Sequence, residues 1–331
     1  MPAKHLLLIH GRATKPCRRE KERLVRASLL HGLERVDGDA AARVRRREVR
    51  VTFAYYGDIN NRIMVEAEPG RTEWMVRGED GVYYEKDGSY DDDLARLHGR
   101  PTADHSPREY RALLRDENDL RYLDEVASLI SPLLAGGLSR RIIRRLLPDL
   151  GAYLGSRKVG SAVRERLQTP LRRALDRSAD VAIVAHSMGC IASYDVLWKL
   201  SHMSEYRKYH DRAISLWLTL GSPLGEPAVR ESLYDASEPA DGIYPRNIRR
   251  WVNIAAHDDF VAHDESVADD FREMSALGCE IVDLPKIHTF WVGTDGMNPH
   301  KFYGYLDHPE VARQIAAWIH APVPAGEGAR R

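Results

Sequence analysis

The chain is poor in sulfur. Cys17, Cys190 and Cys279 are its three cysteines in 331 residues, far apart and odd in number. That excludes a disulfide framework and a clustered zinc site, and makes a reducing, cytoplasmic location the expectation. Long apolar runs are also missing. No stretch reaches the ~18 apolar residues of a membrane span. The early run Leu6-Leu7-Leu8-Ile9 is too short for a signal-peptide core. There is no net charge, because 49 basic residues balance 49 acidic ones, so no global field points to nucleic acid or to an anionic membrane. With nine lysines, the basic residues are mostly arginine. No internal repeat is visible.

What is present is a chain that is 43% hydrophobic and 30% charged, ordinary for a globular protein with a full core. Its most informative segment is Ala185-His186-Ser187-Met188-Gly189, directly after the apolar run Val181-Ala182-Ile183-Val184. An apolar strand that ends in small-x-Ser-x-small and enters a helix has the layout of a nucleophile elbow. The turn is so sharp that the serine sits in a strained conformation with its hydroxyl pushed outward. Strand and helix nearly touch at the flanking positions, which must be small, as Ala185 and Gly189 are.

The rest of the chain reads as alternating strands and helices. Strands are predicted at Leu6–Ile9, Val49–Tyr56, Val181–Ala185, Ile214–Leu220, Trp251–Ala256 and Glu280–Leu284. Helices are predicted over Arg18–Glu34, Cys190–Leu200 and Pro309–Ile319. Alternation stops between about Asp58 and Thr169, where a polar, glycine-, aspartate- and aromatic-rich part is followed by helical patterns over Pro107–Ser131, Leu138–Leu147 and Arg157–Arg177. The expected architecture is α/β, a mostly parallel sheet of about six strands flanked by helices. Its core comprises 1–57 and 170–321, with a largely helical cap insertion at 58–169 and a disordered tail at 322–331. In such sheets the chemistry gathers at the carboxyl ends of the strands.

A serine nucleophile needs a base, a group that orients the base, and donors for an oxyanion. The acid should follow a strand downstream of the serine. Asp258 and Asp259 follow the strand that ends at Ala256. Asp259 is favoured because the apolar pair Phe260-Val261 would pin its loop against the body, with Asp258 second and Asp264 a distant third. The histidine should follow the last strand. His300, in a loop with glycine and proline for turning and aromatics for anchoring, is favoured over His288. The oxyanion donors expected are the N–H of Met188, at the start of the nucleophile helix, and that of Arg12, after His10-Gly11 at the end of the first strand, with Ala13 as its alternative. No cofactor or metal is expected. His257, Asp259, His263 and Asp264 match no metal-ligand spacing. The basic run Arg43–Arg50 is interrupted by Glu48 and leads into a strand, so nucleic acid is not an expected partner.

Taken together these residues resemble the α/β-hydrolase superfamily, and within it the bacterial lipase- and esterase-like members. The carriers are Leu7-Leu8-Ile9-His10-Gly11, Val184-Ala185-His186-Ser187-Met188-Gly189, Thr219-Leu220-Gly221-Ser222-Pro223-Leu224, Trp251-Val252-Asn253 with Asp259-Phe260-Val261, and His300. The resemblance covers about 1–57 and 178–320. The chain departs from the family in lacking the first two strands of its eight-stranded sheet. Phe260 also stands where many relatives carry proline, which keeps Asp258 open beside Asp259. The resemblance implies a carboxylic-ester hydrolase with a Ser187–Asp259–His300 triad, an acyl-enzyme and a cap over the site. Lipid or acyl esters are the implied substrates. Short-chain esters or thioesters are the alternative, as is a catalytically silent binding scaffold.

Within the insertion, 127–138 is the most apolar run, and Gly136-Gly137 suits a helical hairpin. In Arg140–Leu147, paired arginines alternate with paired aliphatics, which gives one apolar and one basic helix face. The pattern fits a lid that makes transient contact with a membrane surface. It fits better a helix packed on the body with its basic face in water.

Overall fold

The computed structural model describes residues 3–86, 90–99, 105–116, 147–177, 180–262, 266–293 and 296–323. The predicted hairpin and amphipathic run at 127–146, Asp264 and the tail from 324 lie outside the described residues.

Six strands form one sheet: β1 (Lys4–Ile9), β2 (Val49–Ala54), β3 (Asp180–His186), β4 (Leu216–Leu220), β5 (Arg250–Ala256) and β6 (Glu280–Ile287). They lie in the order β2-β1-β3-β4-β5-β6, and every pair is parallel. The architecture is α/β. Both faces of the sheet are covered, which is why β1 reads as a continuous apolar run rather than an alternating one. Leu6 and Leu8 face one core, with α1 (Arg18–Val36), α2 (Gly38–Arg45) and, near the C-terminus, α10 (Pro309–His320). Leu7 and Ile9 face the other, with α7 (Arg157–Asp176) and α8 (Met188–His202).

Strand β2 stops two residues before its predicted end at Tyr56. The Tyr56 N–H leaves the ladder and donates to His10 Nε2 (3.0 Å). The segment expected to be irregular contains α3 (Gly57–Ala67), a short antiparallel pair of Met75–Arg77 with Tyr83–Glu85, and α4 (Tyr90–His98). The next helix, α5 (Pro107–Asp116), begins where predicted. After it come α6 (Pro148–Gly155) and α7. Helix α7 runs unbroken through 169/170, the boundary expected between cap and core. Val163, Leu167, Leu171 and Ala174 along it join the same buried cluster as Leu7 and Ile9. Among the described residues, no helix is long and apolar enough to cross a membrane.

From β1 the chain first adds β2 on one side and then β3 on the other. The loops leaving β1 and β3 therefore diverge, and a crevice opens between them at the carboxyl ends of the strands.

Candidate active site

Ser187 occupies that crevice. It follows β3 immediately, and α8 begins at the next residue. Its φ of 55° and ψ of −128° are a conformation that a residue with a Cβ adopts at a cost of about 1–3 kcal/mol. The neighbours hold it there: Ser187 N–H donates to Leu220 O (3.0 Å), and its carbonyl accepts from Cys190 N–H (2.8 Å). The flanking glycines are demanded by contact. A Cβ on Gly189 would lie 2.6 Å from His10 O, and one on Gly11 would lie 2.6 Å from Ser187 Cβ. Strand β1's loop thus passes directly against the serine.

Asp259 lies just past β5 and His300 past β6, after a short hairpin of Val292–Gly293 with Gly296–Met297. The two meet. His300 Nδ1 donates to both Asp259 oxygens (2.9 and 2.8 Å). The carboxylate is fully buried and also accepts from Tyr305 OH (2.6 Å) and Val261 N–H (3.0 Å). Burial alone would raise its pKa. The His300 charge and these bonds outweigh burial and hold it below the usual carboxylate value. Tyr305, on α9 (Phe302–Asp307), is itself fixed because its oxygen accepts Ala256 N–H (2.8 Å). Space for the pair comes from Gly221, at the end of β4. Its φ is +55°, and a Cβ there would lie 2.7 Å from Asp259 Oδ2 and 2.9 Å from His300 Nδ1.

The loop after β1 is equally determined. Because His10 Nε2 accepts Tyr56 N–H, its Nδ1 carries the proton and donates to Gly11 O (2.7 Å). The buried ring stacks on Tyr56 at 4.0 Å, and burial lowers its pKa well below the ordinary value. Holding the Gly11 carbonyl fixes the planar Gly11–Arg12 peptide, so the Arg12 N–H points the opposite way. Ala13, the alternative donor, gives its N–H to Asp149 Oδ2 (2.5 Å), and Arg12 Nε donates to Asp149 Oδ1 (3.2 Å). Asp149 is fully buried on α6. The insertion therefore clamps this loop. Met188, the first residue of α8, has an N–H with no acceptor inside its helix.

Ser187, His300, Met188 and Arg12 line one cavity of about 320 Å³. Leu147, Leu150, Ile191, Pro223, Val229 and Phe260 form an apolar side, and Lys15, Lys21 and Lys301 stand in the wall as well. Ser187 Oγ and His300 Nε2 are both buried and both without a hydrogen-bond partner. His186, the residue before Ser187, donates Nε2–H to the His300 carbonyl (2.7 Å) and stacks on Phe302. Burial, then the neighbouring His300, lowers the His186 pKa well below the ordinary value.

The competing candidates sit elsewhere. Asp258, also at positive φ (59°), is exposed and accepts from Tyr110 OH (2.9 Å). His288 stacks on His257 at 4.2 Å and meets the edge of Tyr110. Neither lines the cavity. Sequence reasoning missed Asp149, the bond from Tyr305 to Asp259 and the lysines. Tyr305 did carry a signal, as one of the aromatics beside His300. Asp149 carried none. A potential metal-ligand group, His31, His98 and Asp307, has ligand atoms within 4.8 Å of one another, but none of the three lines the cavity.

Compared with protein-family models, with curated proteins and with solved structures, the chain gives no match.

Proposed function

We propose that the chain is a serine hydrolase with an α/β-hydrolase fold, cleaving carboxylic esters through Ser187, His300 and Asp259. One observation carries the reading. A strained serine and a carboxylate-held histidine border the same cavity at the strands' carboxyl ends, each with its reactive atom unpartnered.

His300 Nε2 takes the proton of Ser187 Oγ as the oxygen attacks the ester carbonyl. Asp259 keeps the proton on Nδ1 and stabilises the imidazolium that forms. The Met188 and Arg12 N–H groups receive the oxyanion, aided by the positive end of α8. His300 then protonates the leaving alcohol, and water, activated by the same base, releases the acid. The cavity volume lies at the low end of the roughly 300–1,000 Å³ of small-molecule sites, which favours short or medium acyl chains over long ones.

The test has two parts. A fluorophosphonate probe should label the wild type and not Ser187→Ala. Turnover of p-nitrophenyl esters from acetate to palmitate should peak at short or medium chains and vanish in the same variant. Labelling that survives Ser187→Ala would overturn the nucleophile. A folded protein with neither labelling nor turnover would make this a silent binding scaffold.

A further inference from the structure

One end of the cavity carries positive charge that the proposed mechanism does not use. Lys15, Lys21 and Lys301 all line it. Lys15 is caged by its own loop, its ammonium donating to the carbonyls of Arg12, Ala13 (3.2 Å) and Thr14 (3.0 Å). Its three donors are spent, but its charge remains. Lys21 is 4% exposed; among the described residues its ammonium gives one hydrogen bond, to Tyr303 OH (2.8 Å), and lies 4.0 Å from that ring's centre. Lys301 makes no side-chain hydrogen bond or ion pair among the described residues. Its ammonium faces the rings of Tyr90 (5.1 Å) and Trp291 (5.8 Å).

The carboxylate in this group is Glu85, which accepts from Thr14 OH (2.6 Å) and Tyr90 OH (2.5 Å). Asp149 is committed to Arg12 and the Ala13 N–H. Glu226 lines the cavity too, on the Pro223–Val229 side. Beyond the Asp149–Arg12 pair, three ammonium groups therefore crowd Glu85 in a partly desolvated pocket, where excess charge is costly unless matched. Lys21 bears a further cost as the fourth residue of α1, close to the helix's positive end. Burial pushes the Lys15 pKa down to about 8 and the Lys21 pKa well below its ordinary value, and the neighbouring lysines add to both shifts. An incoming anion would relieve all of these costs together. The spare N–H donors of Lys21 and Lys301 are there to receive it.

We propose that this end of the cavity binds an acidic group of the substrate, a carboxylate or a phosphate, so that the ester cleaved is an amphiphile with an apolar acyl part and one anionic group. The substrate assignment rests on the reading of Ser187 above; the anion site does not.

Titration calorimetry on Ser187→Ala with octyl phosphate, octanoate and 1-octanol separates the two, because binding needs no turnover. At low salt at least one of the anions should bind about tenfold or more tighter than octanol, and the gap should close as salt rises. Whichever anion binds tighter identifies the acidic group. Adding Lys301→Met or Lys21→Met should each cut anion affinity about three- to tenfold and leave octanol affinity unchanged. Glu85→Gln, whose amide oxygen can accept from one of the Thr14 and Tyr90 hydroxyls while its NH2 donates to the other, should strengthen anion binding, a sign that a merely damaged pocket would not give. In the wild type, octyl phosphate should inhibit p-nitrophenyl butyrate hydrolysis competitively. Octanol binding as tightly as both anions, lysine variants without effect, or non-competitive inhibition would each overturn the site. Absent fluorophosphonate labelling would instead remove the hydrolase reading and leave the titration standing.

Discussion

Two buried aspartates each hold a histidine by Nδ1, and only one of the pairs belongs to the cavity. Asp259 holds His300 at 2.8 Å, and Asp307 holds His31 at 2.5 Å, both with carboxylates fully buried. The difference lies in the surroundings. Asp259 is otherwise served by uncharged donors, Tyr305 OH and Val261 N–H, and the far nitrogen of its histidine is free on a cavity shared with a strained serine. Asp307 also takes Arg35 (3.2 Å), with His98 (4.0 Å) and His105 (3.8 Å) beside it, and His31 stacks on His98 at 3.9 Å. That cluster joins α1, α4 and α9. It ties part of the insertion to the core and does not border the Ser187 cavity. An Asp–His contact is therefore no evidence of chemistry by itself. What counts is where the second imidazole nitrogen points and what stands next to it.

The two aspartates should differ most when each is neutralised in turn. Asp259→Asn should cost about 10³–10⁴ in kcat on a p-nitrophenyl ester, because an amide no longer fixes the His300 tautomer or steadies its cation. Asp307→Asn should change kcat less than about threefold but cost roughly 2–4 kcal/mol of stability, since Arg35 loses its charge partner in a buried setting. Steady-state kinetics and urea unfolding on both variants decide the matter. A large kcat loss in Asp307→Asn alone would reverse the assignment.

Both clusters were unevenly visible in the sequence, for a physical reason. Residues whose role follows from strand ends and sharp turns could be found. Ser187 announces itself through Ala185 and Gly189, and Gly11 marks close approach, because chain geometry dictates their size. The six strands are legible because a sheet covered on both faces needs continuous apolar runs such as Leu6–Ile9. Asp149 under the Arg12 loop, His31 on Asp307 and Lys21 against Tyr303 depend on side chains 137 to 282 residues apart in sequence. No local pattern encodes such pairings. Helices α3 and α4 were hidden for a related reason. Their polar sequences are held by packing against neighbours rather than by a strong apolar stripe.

Acid stability should sharpen the same contrast at a smaller scale. Burial, then His31, lowers the His98 pKa from its ordinary value to about 4, against the pull of Asp307. The unfolded chain protonates this residue first, so it contributes stability that is full above about pH 6.5 and declines as pH falls toward 4. His308, lowered to about 2 mainly by burial and then by His105, acts with the same sign. Asp195, raised to about 6 by burial, acts against it. The variant comparison isolates His98. His98→Gln should flatten the loss of unfolding free energy between pH 7 and 4 by on the order of 1–2 kcal/mol. An unchanged slope would mean that His98 does not feel the cluster.

The smallest effect probes the Asp259 side alone. Tyr305→Phe removes one donor from Asp259 and leaves Ala256 N–H without its acceptor, yet the ring keeps its packing. Losing a bond to a charged group of this kind costs about 1–1.5 kcal/mol, which is five- to tenfold in kcat/KM if Asp259 acts through His300. The Asp259 pKa should also rise, because one of the bonds that lowers it is gone, and the low-pH limb of kcat/KM, which the coupled Asp259–His300 pair sets, should move upward. A purely structural tyrosine would lower the unfolding free energy and leave both the rate per folded molecule and that limb in place. The pH profile, rather than the rate loss, therefore separates a positioning residue from a packing one, and the same measurement on Asp307→Asn should show no movement of the limb.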